Sequence, residues 1–161
     1  MSEIKIINDP VFGFIKIPRG LILDVICHPL MQRLTRIRQL GMASVVYPGA
    51  QHTRFLHSIG AFHLVSEAVL SLQQKGVFIF DSEVEAVQIA ILLHDIGHGP
   101  FSHVLENSLI TGISHEDISL QMMEKMNCEM GGSTHAGYQN LQERIPQALS
   151  TSAHQQSARY G

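Results

Sequence analysis

Hydrophobic and polar positions change period at about residue 20. Before it, apolar and polar side chains alternate in two short runs, Lys5-Ile6-Ile7 and Phe14-Ile15-Lys16-Ile17. Asn8-Asp9-Pro10 and Gly13 separate them, so residues 1–20 are expected to form a small β-hairpin. After Pro18 and Gly20 the alternation stops, and Pro29, Gly41, Pro48-Gly49, Gly76, Gly97 and Gly99-Pro100 divide long stretches of helical character. Residues 21–127 are thus expected to be a mainly α, helical domain. Pro29 suits a first helical turn, and Leu30, Leu34, Ile37 and Leu40 follow at helical spacing up to Gly41. From Phe55 to Lys75, one stripe holds Phe55, Ile59, Phe62, Val65, Val69 and Leu72. A second face starts at His57 and continues through Ala61, Leu64 and Ala68, which predicts a deeply buried helix. Ser82 with Glu85 forms a capping-box pattern, and only Glu85 and Gln88 are strongly polar from Val84 to Leu93; this predicts a central helix that runs into His94-Asp95. A short fourth helix is expected from Phe101 to Leu109. A fifth, capped by Ser114 with Asp117, would turn Ile118, Met122 and Met126 inward. Residues 128–161 show no sustained period and read as an irregular, partly disordered tail.

The 161 residues, 45% apolar and 16% charged, suffice for one domain with a hydrophobic core and exclude a disordered or fibrous chain. A net charge of −3 gives no general attraction to nucleic acid or to an anionic membrane. Arg33, Arg36 and Arg38 have no aromatic interleaving, and they read as a solvated helix face. The two cysteines, Cys27 and Cys128, lie far apart, and the N-terminus has no signal pattern, so a cytoplasmic location is expected. The longest apolar run, Ile89 to Leu93, is far short of the ~20 residues that cross a bilayer, so no membrane association is expected.

Histidine changes the picture. Seven of the ten (His52, His57, His63, His94, His98, His103 and His115) fall between residues 52 and 115. Asp95 ends an apolar helix, where an unpaired carboxylate costs several kcal/mol. Its neighbour His94 lies roughly 100° around the helix, and Gly97 releases the chain so that both side chains could meet one cation. His57 could add a third ligand if the two helices pack together; taken alone, it is more ordinarily a hydrogen-bonded core histidine. Two imidazoles and a carboxylate suit Mn, Fe, Co, Ni or Zn better than Mg or Ca. His98 and His103 read as loop residues facing a cleft, whereas His52, His63, His135 and His154 receive no role.

Arg54-Phe55-Leu56-His57-Ser58-Ile59-Gly60, then His94-Asp95-Ile96-Gly97-His98-Gly99-Pro100-Phe101-Ser102-His103, then His115-Glu116, closely resemble the HD-domain metal-dependent phosphohydrolases. Within them the chain looks most like the deoxynucleoside triphosphate triphosphohydrolases. Asn8-Asp9-Pro10, Gln32-Arg33-Leu34, Gln39-Leu40-Gly41 and Tyr47-Pro48-Gly49-Ala50 extend the likeness, which covers about residues 4 to 127. The resemblance implies an HD-type helical bundle in which His57, His94 and Asp95 bind a divalent metal. The substrate would be a deoxynucleoside triphosphate, released as deoxynucleoside and triphosphate. It also implies proton transfer by His103 and His115, phosphate contacts by Arg54 and His98, and sugar contacts by Gln39 and Leu40.

Three departures stand out. After Asp95 the only aspartate is Asp117, so the family's distal aspartate ligand is missing, together with the later helices that complete the bundle. This predicts a truncated or frame-shifted product with exposed apolar helix faces, prone to associate with a second copy or another chain. A catalytically inactive metal- or nucleotide-binding fragment is the alternative function. Cys27 and Thr35 stand where the nucleotide-activated branch has aspartate and arginine, so guanine-nucleotide activation of that type is not expected; Glu106 replaces an aspartate near the proton-transfer histidine. A helical interaction module with a structural zinc is a weaker reading, because Cys27 and Cys128 are not spaced as a ligand pair.

Overall fold

In the computed structural model, which describes residues 4–101 and 115–131, the strands Lys5–Asp9 (β1) and Gly13–Ile17 (β2) pair antiparallel with Ile7 opposite Ile15. Side chains alternate across the pleat, so Ile15 and Ile17 enter the core while Phe14 faces out. Asp9 fixes the turn: one carboxylate oxygen accepts from the backbone N–H groups of Val11 and Phe12, at 2.8 and 2.9 Å. The Phe12 ring then lies against α3 (Arg54–Gln74) at Gly60, where an added Cβ would come within 3.0 Å of it. The expected hairpin is present.

The rest is mainly α. Leu21–Cys27 (α1), not foreseen from the sequence, buries Ile22, Val25 and Ile26. It ends because His28 precedes a proline and takes extended backbone, with ψ 139°. Pro29–Gln32 (α2) and a 3-10 turn over Arg33–Arg36 follow. The single helix expected up to Leu40 is therefore broken. The physical reason lies in the backbone: Ile37 is extended, its carbonyl accepts from the N–H of Arg54 at 2.8 Å, and Gln39 N–H donates to the carbonyl of His52 at 3.1 Å. These pairs fold the 41–53 loop back on itself and use groups that a continuous helix would need.

Thr53 caps α3, its hydroxyl accepting from the N–H of Leu56 at 3.3 Å. The next helix, Asp81–Leu93 (α4), starts one residue before Ser82, because Glu83 rather than Glu85 reaches back to the N–H of Phe80 at 3.0 Å. α3 packs on α4 and α1 on α4. The core joins Ile15, Ile17, Val25, Leu34, Ile59, Phe62, Leu92, Leu93 and Ile96 to Met126 of His115–Gly131 (α5). His28 pins the far end of α5: its Nδ1 accepts from the N–H of Leu30, so its Nε2 donates to Glu129, 3.0 Å away.

Deep burial holds for only one face of α3. Ile59 and Phe62 are enclosed, but Leu64, Leu70 and Leu72 are exposed. α4, expected as a central helix covered on most sides, is fully buried only at Ile89, Leu92 and Leu93. α3 is also, by length and mean hydropathy, the described helix that could cross a membrane, a property that unbroken apolar runs do not reveal. α5 continues to Gly131 rather than ending near Asn127. Phe101, where a fourth helix was expected to start, has φ 56° and is not helical; residues 102–109 and the Ser114 cap fall outside the described residues, as does the tail from 132 onward.

Replacing Asp9 by Ala removes both charge-assisted hydrogen bonds at the hairpin turn. The expected loss is about 1.5–3 kcal/mol of stability, read as a lower urea midpoint with unchanged helix content.

Candidate metal centre

α4 stops at Leu93, and His94 occupies its C-terminal cap. The Nδ1 of His94 lies 2.6 Å from the carbonyl oxygen of Ile91. A carbonyl can only accept, so Nδ1 carries the proton and the Nε2 lone pair points outward. It faces Nε2 of His57, from the first turn of α3, at 3.2 Å, and Oδ1 of Asp95 at 3.6 Å. Ligand atoms of His57, His94 and Asp95 all lie within 4.8 Å of one another. Among the described residues this is the group with metal-ligand character. The donor set fits a metal: the nitrogen separation is close to the ~3.3 Å edge of a tetrahedron with metal–nitrogen bonds of ~2.0–2.1 Å, and the backbone bond to Nδ1 holds the ligating tautomer.

Asp95 is buried, and burial alone would raise its carboxyl. His94, Arg54, His98 and a hydrogen bond from the Gln39 side chain outweigh that effect and hold it below the ordinary carboxylate range. Arg54 Nη1 donates to Asp95 Oδ2 at 2.8 Å, with Arg54 4% and Asp95 7% exposed. Burial lowers His57, the positive fields of His94, Arg54 and His52 act the same way, and Asp95 opposes them. Both ligands are thereby kept in the form that donates electrons.

The turn after α4 is tightly held. Ile96 N–H donates to the Leu93 carbonyl and His98 N–H to that of Asp95, at 3.0 and 3.2 Å. Arg33 donates to the carbonyl of Ile96 and approaches the Met122 sulfur at 3.5 Å, so it is an internal strut and not part of a solvated face; Arg36 and Arg38 remain exposed. His98 is buried in this turn rather than open to a cleft. Its Nε2 is 3.5 Å from Asp95 Oδ1, and its ring stacks on His115 with centroids 4.2 Å apart. Gln39 reaches Asp95, while Leu40 is exposed. His103 and Glu106 lie outside the described residues. His63 packs beside Phe12. A cavity of about 750 Å³ opens beside His57, between the hairpin turn and α3, lined by Asp9, Gln51, His52, Leu56 and Leu64 among others. Sequence reasoning missed Ser119, whose hydroxyl meets the backbone N–H of Gly97 at 3.0 Å; a serine four residues after His115 was its only signal.

The family model described as HD domain matches residues 54–143. The chain belongs to the HD-domain family. Relatives of this HD domain include the deoxynucleoside triphosphate triphosphohydrolase SAMHD1 of Danio rerio, 41% identical over 133 residues, covering 78% of this chain and 21% of that protein. The human protein of the same name is 40% identical over 134 residues, with the same coverage. A crystal structure of a phosphohydrolase from Bacteroides thetaiotaomicron superposes with a TM-score of 0.80 and 66% identity, over 89% of this chain and 34% of that one. The chain thus spans about a fifth of the SAMHD1 proteins and a third of the phosphohydrolase.

Two outcomes follow from the electrostatics. Arg54→Met leaves Asp95 buried without its cation and is expected to cost about 3–5 kcal/mol in chemical unfolding. His57 takes up a proton less readily folded than unfolded, so stability present above the ordinary imidazole value of about 6.5 is lost as the pH falls through and below it. Urea midpoints of the metal-free chain at about pH 7.5 and about pH 5.5 should show this drop, and His57→Gln should shrink it.

Proposed function

We propose that this HD domain is the catalytic core of a metal-dependent phosphohydrolase acting on deoxynucleoside triphosphates, with release of deoxynucleoside and triphosphate. The observation that carries the reading is the convergence of His57, His94 and Asp95, with His94 in its ligating tautomer. These three residues would hold a divalent ion: Mn, Fe, Co, Ni or Zn by donor type, or Mg. Such an ion, when bound, supplies Lewis acidity to a phosphate oxygen and acidity to a water molecule. The SAMHD1 relatives, deoxynucleoside triphosphate triphosphohydrolases by name, support the substrate class.

The chain's own residues then divide the work. Water attacks the α-phosphorus and gives up a proton, the bond from that phosphorus to the 5′ oxygen breaks, and the departing oxygen takes a proton. His115, on which His98 stacks, and His103 carry these proton transfers. Arg54, buried on Asp95, keeps the carboxylate ionised and adds positive charge for phosphate. Gln39 offers a buried side-chain oxygen that has no hydrogen-bond partner among the described residues, an acceptor for a substrate donor beside Leu40. Two exposed free thiols, Cys27 and Cys128, suit a reducing cytoplasm.

A second reading has one observation in its favour. Leu64 and Leu72 expose apolar surface on one side of α3, which suits a metal- or nucleotide-binding chain that associates with a second copy or with another protein rather than turning over alone. The two separate experimentally. The purified chain should bind about one transition metal, lost in His57→Ala and Asp95→Ala. It should release tripolyphosphate from dGTP with added Mn²⁺, and His94→Ala should abolish this. Bound metal without triphosphate release, together with concentration-dependent sedimentation, would favour the second reading.

A further inference from the structure

We infer that Gly97 and Ser119 are positioning residues that seat the first turn of α5 on the turn after α4, and so hold His115 against His98. This rests on the proposed role of His115 in proton transfer. Gly97 is buried, and a Cβ built on it would lie 2.2 Å from the carbonyl oxygen of His115, 2.3 Å from Ser119 Oγ and 2.5 Å from the backbone nitrogen of Ser119. Two of those three atoms are backbone, so no rotamer change can make room. α5 reaches its seat only because residue 97 has no side chain.

Ser119 makes the contact directional. Its hydroxyl accepts from the N–H of Gly97 at 3.0 Å and donates to the carbonyl of His115, one turn earlier, at 2.9 Å. One buried oxygen thus joins the metal-ligand turn to the residue whose ring stacks on His98 at an interplanar angle of 15°. The back-bond to His115 fixes the hydroxyl rotamer and leaves a lone pair aimed at Gly97. Arg33 strengthens the same junction by reaching both Ile96 and Met122. The metal ligands come from α3 and from the end of α4, so loosening α5 should move His115 and leave the ligand set in place.

The test is made on the full chain loaded with Zn²⁺, a diamagnetic ion, with histidine ring resonances followed by NMR. Ser119→Ala is expected to shift the His115 and His98 ring signals, while zinc stoichiometry and the His57 and His94 signals stay as in the parent. Ser119→Thr, which keeps the hydroxyl, should restore the parental spectrum. In the Mn²⁺ enzyme, Ser119→Ala should lower kcat about tenfold or more with KM within about twofold, because only proton transfer is misaligned. Unchanged His115 and His98 signals in Ser119→Ala would overturn the assignment, as would loss of zinc in that variant. If the parent has no triphosphohydrolase activity, the proposed reaction fails, yet the ring signals still decide the positioning role. Should Ser119→Ala not fold, Ser119→Cys, of similar volume and weak as an acceptor, takes its place with the same expected shift.

Discussion

The buried pair between Arg54 and Asp95 is the constraint on which the centre depends. Arg54 opens α3 and Asp95 lies two residues past the last residue of α4, so the 2.8 Å contact ties the start of one helix to the turn after the other. That tie sets His57, one turn along α3, opposite His94. Neither charge could sit there alone, because a lone buried ion forfeits hydration that nothing replaces. The pair also explains the loop that precedes α3. By pairing Ile37 with Arg54 and Gln39 with His52, the backbone delivers Arg54 inward and brings the Gln39 side chain to the same carboxylate.

Much of this was legible in the sequence, for definite reasons. The hairpin follows from its period-two runs and from Asp9 at the turn. α3 and α4 follow from long apolar periodicity, and the metal group from an acidic residue stranded at the end of an apolar helix. The seam at 21–40 was not legible. There α1 was not foreseen, and a proline and a tertiary backbone pairing override local helical spacing, giving a four-residue α2 and a 3-10 turn where one helix from Pro29 to Leu40 was expected. Arg33 was misread for a related reason, since a charged side chain among other arginines gives no local sign that its partner is a carbonyl 63 residues away.

The degree of cover was the other weak point. Apolar periodicity reports which side chains can be buried, not what buries them, and so the two-faced pattern of α3 overstated its enclosure. Ser119 was invisible for a similar reason: its importance comes from the absent side chain of Gly97, and no pattern along one helix encodes an empty place on another.

The three candidate metal ligands come from α3 and the turn after α4, with His57 and His94 37 residues apart. Bringing them together closes one loop, whose entropy cost grows only with the logarithm of its length. All three are present once residues to Asp95 have been synthesised, before α5 exists to dock. An ion captured at that stage would clamp α3 to α4 and give the nascent chain a folded template for everything that follows.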